Sequence, residues 1–309
     1  MGRSLLKQMP AFAADHVKGP AARGFQSGPM ITVKGGYPDI VWHFDLNYEV
    51  ATPDEARSAV ADLVGRGADV IKITLEPGGE GYVWPMLDLD LVRAVVQEAH
   101  ARGKLVRAHV GDIDGTGVLE TVLDGGVDVI EHVPLPVFSA MEAYERIKDS
   151  GNYTTTAESK EQLARLAARG VVMVPTLTAH TPLCEAPQLT PLEKQGCIEF
   201  YLEPVRTFHA LGGRVALGND WGAGDWIKWG MPLPEMELLL AAGLTPMDVI
   251  RAGTQHAAWV CGHGDELGTL TPGMLADVIV VDGDPLTDIQ AMGRVSAVIK
   301  GGQVALPAP

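Results

Sequence analysis

Helix-like stretches that end in Arg-Gly or Gly-Gly alternate along the chain with short, β-branched apolar runs. Residues 53–66 lead through Gly67 into the run 68–73, and 89–102 lead through Gly103 into 104–110. The same order recurs from 115–124 through Gly125-Gly126 to 127–132, and from 159–169 through Gly170 to 171–176. It recurs once more from 192–211 through Gly212-Gly213 to 214–220. Glycine takes the left-handed turn that closes a helix. A nearly continuous apolar run suits a parallel strand buried on both faces. Thr52-Pro53-Asp54-Glu55 and Thr190-Pro191-Leu192-Glu193 read as helix starts, each with a capping threonine, a first-turn proline and an acid three residues on. Thr245-Pro246-Met247-Asp248 is a weaker version with a shorter acid.

This alternation predicts an α/β fold with a parallel sheet and right-handed crossovers. Periodicity alone does not separate an open sheet from a closed barrel. The strand ends are more telling, because four runs finish at or near Lys72, His109, His132 and Asp220. Both parallel architectures place their chemistry at carboxyl ends of strands. No Gly-x-Gly-x-x-Gly follows the first strand, and no phosphate-binding Gly-x-x-x-x-Gly-Lys-Ser/Thr occurs, which favours a TIM-type barrel. Beyond a helix at 244–261, the turn at 268–273 and the β runs 276–281 and 295–299 read as a small appended sheet. The expected organisation is a barrel over 1–262 and a small C-terminal β extension over 263–309.

A net charge of −15 would repel a phosphate backbone, so nucleic-acid binding is not expected. No apolar run is long enough to span a membrane, and the first thirty residues lack a signal-peptide pattern. Cys184, Cys197 and Cys261 are too few and scattered for a disulfide framework, so a reduced, cytoplasmic protein is expected.

Two histidines, a lysine and an aspartate at strand ends suggest a metal site, since imidazole suits zinc and a carboxylate adds a hard oxygen ligand. Lysine is a ligand only after its amine has taken up carbon dioxide to form a carbamate. Lys72 read alone is also compatible with a strand-end ion pair or with the Schiff-base lysine of an aldolase-type barrel.

At this point the chain resembles the amidohydrolase superfamily, in particular its imidazolonepropionase-like and prolidase-like members. The resemblance rests on Val70-Ile71-Lys72-Ile73 followed by Gly78-Gly79, on Ala108-His109, on Ile130-Glu131-His132 and on Gly218-Asn219-Asp220. The tail from Gly268-Thr269-Leu270-Thr271-Pro272-Gly273 through Ala276-Asp277-Val278-Ile279-Val280-Val281-Asp282 is as telling. The resemblance implies a (β/α)8 barrel with one or two divalent ions, zinc or another, and hydrolysis of amide or ester-like bonds in a small amide, dipeptide-like or cyclic amide substrate. It implies Lys72 as a carboxylated lysine bridging two metals, His109 and His132 as ligands of the second, and Asp220 as a ligand of the first. Asp220 would also shuttle a proton from the attacking water to the leaving group. Metal binding brings that water's pKa to near neutrality.

The chain departs from the family pattern in having no His-x-His; the nearest candidate, Trp42-His43-Phe44-Asp45, has the wrong spacing. By strand order the chain begins at the second barrel helix, with 30–33 as the third strand, so an incomplete barrel of about six strands is expected. Asn219 stands where a threonine usually precedes the aspartate, and Tyr37 where a histidine often follows two glycines. Two expectations therefore stand side by side: an active metal hydrolase, or an impaired or non-catalytic remnant needing a missing segment or a partner chain. Self-association into a homo-oligomer is left open.

Tyr82, His180 and Trp221 are the candidate substrate contacts; Trp221, Trp226 and Trp229 form either an apolar wall over the substrate or a loop packed on itself. Glu131 is assigned by strand alternation to the outer face, and His16, His100, His209, His256 and His263 to structural roles.

Overall fold

The computed structural model describes residues 6–10, 22–38, 46–78, 83–111, 117–134, 157–221, 225 and 227–306. The chain divides into two compact units: residues 1–137 with 169–171 and 260–262, and the remainder.

In the first unit, five parallel strands stand in the order β2-β1-β3-β4-β5: β1 (Met30–Thr32), β2 (Asn47–Glu49), β3 (Ile71–Leu75), β4 (Val106–Val110) and β5 (Val129–Glu131). Helices α1 (Pro53–Gly65), α2 (Leu89–Ala101) and α3 (Val118–Gly125) connect β2 through to β5. Thr52 caps α1 by accepting from the Glu55 amide, while Glu55 Oε2 accepts from the Ala51 amide at 2.7 Å. Ala56, Ala59, Val60 and Leu63 recur at helical spacing and form its buried stripe. Ile71, Ile73 and Leu75 are fully buried on one side of β3, leaving Lys72 and Thr74 on the other.

The second unit contributes the parallel pair β6 (Val172–Val174) and β7 (Arg214–Val215), helices α4 (Ala157–Ala168), α5 (Leu177–His180), α6 (Pro191–Ala210), α7 (Leu233–Ala241) and α8 (Pro246–Arg251), and a three-stranded antiparallel sheet. That sheet is β8 (Val278–Val281), β9 (Val295–Lys300) and β10 (Gln303–Leu306), with β9 central. Both Thr190 and Thr245 make reciprocal capping boxes, so the aspartate at 248 suffices where a longer acid was the stronger signal.

Gly67, Gly103, Gly126, Gly170 and Gly212 all take positive φ, as helix-closing turns require. The two double glycines divide their labour. Gly126 turns left-handed, while a Cβ on Gly125 would lie 2.5 Å from Val92 Cγ1 of α2. Gly212 turns left-handed, while a Cβ on Gly213 would run into the Phe208 ring.

Several elements differ from the sequence reading. β2 was not anticipated: at three residues, Asn-Tyr-Glu, it carries no apolar alternation, and its pairing with β1 defines it. The run 214–220 keeps ladder pairing only at Arg214 and Val215, because the Leu217 amide donates to Ala252 O at 3.0 Å. The helix expected over 244–261 widens into a π-turn at Ala252–His256, where the Ala252 carbonyl accepts from both the Ala257 and the Leu217 amides. Finally, Cys184 and Cys197 form a disulfide with Cα atoms 5.3 Å apart, which corrects the fully reduced expectation. The turn between the 3-10 segment Thr181–Glu185 and α6 folds the two cysteines together, and linear spacing does not reveal it.

Candidate active site

In the first unit the strand register builds the site in levels. Lys72 pairs with Arg107, Thr74 with His109 and His109 with Glu131. Neighbours in register share a face, so Lys72 and Arg107 lie one level nearer the strand starts than Thr74, His109 and Glu131. Thr74 Oγ1 donates to Thr32 Oγ1 at 2.9 Å in the buried part of that level.

His109 is held from several sides. Its Nε2 lies 3.3 Å from Glu76 Oε2, its ring stacks on Tyr37 with centroids 4.3 Å apart, and it meets the His132 ring edge to face at 4.5 Å. Glu76 was not read from the sequence. It follows Lys72 and Thr74 at the spacing of two that defines a strand face, which is the signal that could have found it.

Strand alternation would send Glu131 and His132 to opposite faces. Glu131 stays on the His109 face, correcting its outer-face assignment, because it is in register with His109. His132 reaches His109 because its backbone turns left-handed, with φ of 74°. Glu131 bends toward the strand starts and meets both Lys72 Nζ and the Arg107 guanidinium. These three line a cavity of about 270 Å³ together with Gln26, Ser27 and Cys261. Burial pulls the Arg107 guanidinium below its ordinary range, while burial pushes the Cys261 thiol up and Arg107 opposes that shift.

Among the described residues no three His, Cys, Asp or Glu side chains converge to hold a metal ion. His109 and His132 supply two imidazoles side by side, and Lys72 Nζ lies against the Glu131 carboxylate. The described donors therefore do not by themselves complete a metal shell.

In the second unit the segments that follow β6 and β7 carry the candidates. Thr176 and Asp220 both have positive φ, 50° and 53°, so they share the left-handed exit seen at His132. Asp220 is exposed, and Trp221 and Trp229 meet at 4.2 Å between ring centroids while remaining 51% and 79% exposed. His180, the last residue of α5, stacks on Tyr201 at 5.5 Å. Tyr82 and Trp226 lie outside the described residues, as do Gly79 and the His43 segment.

Glu235 is a further residue that sequence reasoning missed. It is fully buried in α7, and its carboxylate accepts from the Leu177 amide at 2.8 Å, the Thr178 amide at 2.7 Å and Thr178 Oγ1 at 2.7 Å. Burial raises its pKa to about 7 against the opposing pull of those donors, with Asp220 adding to the rise.

Residues 12–305 match the Amidohydrolase family, and the chain belongs to it. The chain is 26% identical over 260 residues to the ochratoxinase of Aspergillus niger, covering 81% of this chain and 49% of that protein. It is 26% identical over 215 residues to an imidazolonepropionase of Symbiobacterium thermophilum, covering 69% and 42%. The chain thus spans about half the length of the curated relatives it matches. Among solved structures, a Xaa-Pro dipeptidase with bound methionine superposes with a TM-score of 0.70 at 24% identity, covering 98% of this chain and 71% of that one. The A. niger ochratoxinase crystal structure superposes at 0.72 with 20% identity, covering 99% and 76%. These likenesses show the fold to be that of the TIM-barrel-like amidohydrolases.

Proposed function

We propose that this chain is a metal-dependent hydrolase of C–N amide bonds in small molecules of the N-acyl amino acid, dipeptide-like or cyclic amide class. The observation that carries the reading is the family match over residues 12–305, with two imidazoles meeting at the ends of β4 and β5. The names of the relatives, ochratoxinase and imidazolonepropionase, support a small-molecule substrate.

In this reading His109 and His132 hold a divalent ion, zinc first, and the ion's role is to acidify water and polarise the scissile carbonyl. Lys72 joins them only as a carbamate, after leaving Glu131. Asp220 takes the proton from the attacking water and passes it to the leaving nitrogen. His180 and Trp221 contact the substrate.

Elemental analysis of the chain expressed with zinc and bicarbonate tests the metal, and a panel of N-acyl amino acids and Xaa-Pro dipeptides tests the reaction. About one zinc per chain, lost in His132→Ala, together with hydrolysis of a panel member, supports the reading. A second reading, an impaired or non-catalytic amidohydrolase, is favoured by the lack of three convergent donors among the described residues. Folded protein that retains no zinc and cleaves nothing would establish it.

A further inference from the structure

Among the described residues Glu235 is the only acid that is fully buried, and the mechanism above gives it no task. Its surroundings do. The segment Leu177–His180 begins after Thr176, which is left-handed and makes no side-chain cap of its own. Glu235 satisfies the first two amides of that segment from a different helix, one carboxylate oxygen for each. The Thr178 hydroxyl has one proton, which it gives to Glu235 at 2.7 Å, and it also faces Asn219 O at 3.5 Å. Asn219 immediately precedes Asp220, and His180 follows Thr178 by two residues. One buried carboxylate therefore anchors the segment that carries His180, and through Thr178 it touches the segment that carries Asp220.

We infer that Glu235 is a positioning residue: it sets the backbone that presents Asp220 and His180 to the substrate. Their roles rest on the hydrolase reading above, whereas the backbone coupling does not. Two acceptor oxygens are needed because the donors are two amides and a hydroxyl converging on one group. Glutamine keeps one acceptor oxygen and turns an NH2 toward the other donor. A shift of about an ångström at a proton-transferring group costs up to a hundredfold in rate.

The test compares wild type with Glu235→Gln, Thr178→Val and Thr178→Ser, by amide hydrogen exchange at 175–181 and 216–221 and by steady-state kinetics on the panel substrate that wild type cleaves. Glu235→Gln should speed exchange by about tenfold in both segments and lower kcat by at least about tenfold, with KM within about twofold. Thr178→Val should reproduce the faster exchange at 216–221, and Thr178→Ser should restore it. Exchange that rises at 175–181 alone overturns the inference, and so does a kcat loss no larger than the fall in folded fraction. If Glu235→Gln does not fold, the Thr178 pair decides by the same criteria. If wild type cleaves nothing, the hydrolase reading fails, and exchange alone still decides whether Glu235 couples the two segments.

Discussion

His109 and His132 meet ring edge to ring face with centroids 4.5 Å apart, although Glu131, not His132, is the register partner of His109. The left-handed backbone at His132 closes that gap of one residue. A non-glycine residue there carries strain that glycine would not.

Replacing His132 by alanine or by glycine removes the imidazole in either case, but only alanine retains the strained conformation. His132→Gly should therefore unfold at higher urea than His132→Ala, by about 1 kcal/mol. Equal midpoints would show that the backbone relaxes once the ring is gone.

Glu131 separates two cations whose side chains are only 12% and 18% exposed, Lys72 and Arg107. Glu131→Ala should destabilise the protein by about 3 kcal/mol by leaving both charges without their carboxylate. Lys72→Met in the same background should recover part of that loss, and a double-mutant cycle in urea measures the coupling.

The folded-state pKa of Glu235, about 7, lies above the ordinary 4.5. Between those values the folded protein binds more protons than the unfolded chain, so stability falls as pH rises. The loss should amount to about 3 kcal/mol, complete just above neutrality, and Glu235→Gln should abolish it. Urea midpoints at pH 5 and pH 8 check both, and a wild-type profile parallel to that of the variant would refute the linkage.

The disulfide closes a loop between cysteines 13 residues apart. Replacing both cysteines by serine should cost about 3 kcal/mol, chiefly through the entropy of the unfolded chain. Alkylation followed by mass analysis establishes the bond, and thermal unfolding with and without reductant measures its worth.

The helix–strand alternation was legible because its punctuation is local: a glycine that follows a helix-like stretch, such as Gly103 or Gly170, marks the left-handed turn that closes it. Lys72 and His109 were read as strand-end residues, and the strands place them differently: His109 is next to last in β4, whereas Lys72 is second in β3, because an apolar run does not report where ladder pairing starts or stops. Glu131 and His132 were assigned to the wrong relative faces because alternation presumes extended backbone, and nothing in the residue names reports φ at 132. Glu235 escaped because an acid beside Met236 on a helix reads as a solvated position until its donors appear, 57 and 58 residues away in the chain. Cys184 and Cys197 escaped because a turn that joins two helices decides their pairing.

The double glycines at the ends of α3 and α6 predict two kinds of genetic repair. An alanine at Gly125 is a defect of volume, set by one methyl of Val92, and a second-site deletion such as Val92→Ala can cure it. An alanine at Gly126 is a defect of handedness, and no neighbouring deletion reaches it. A suppressor screen would therefore yield revertants in α2 for the first glycine and only same-site revertants for the second. The same division holds at Gly213 and Gly212, with Phe208 in place of Val92. Chirality, unlike space, has no substitute elsewhere in the chain.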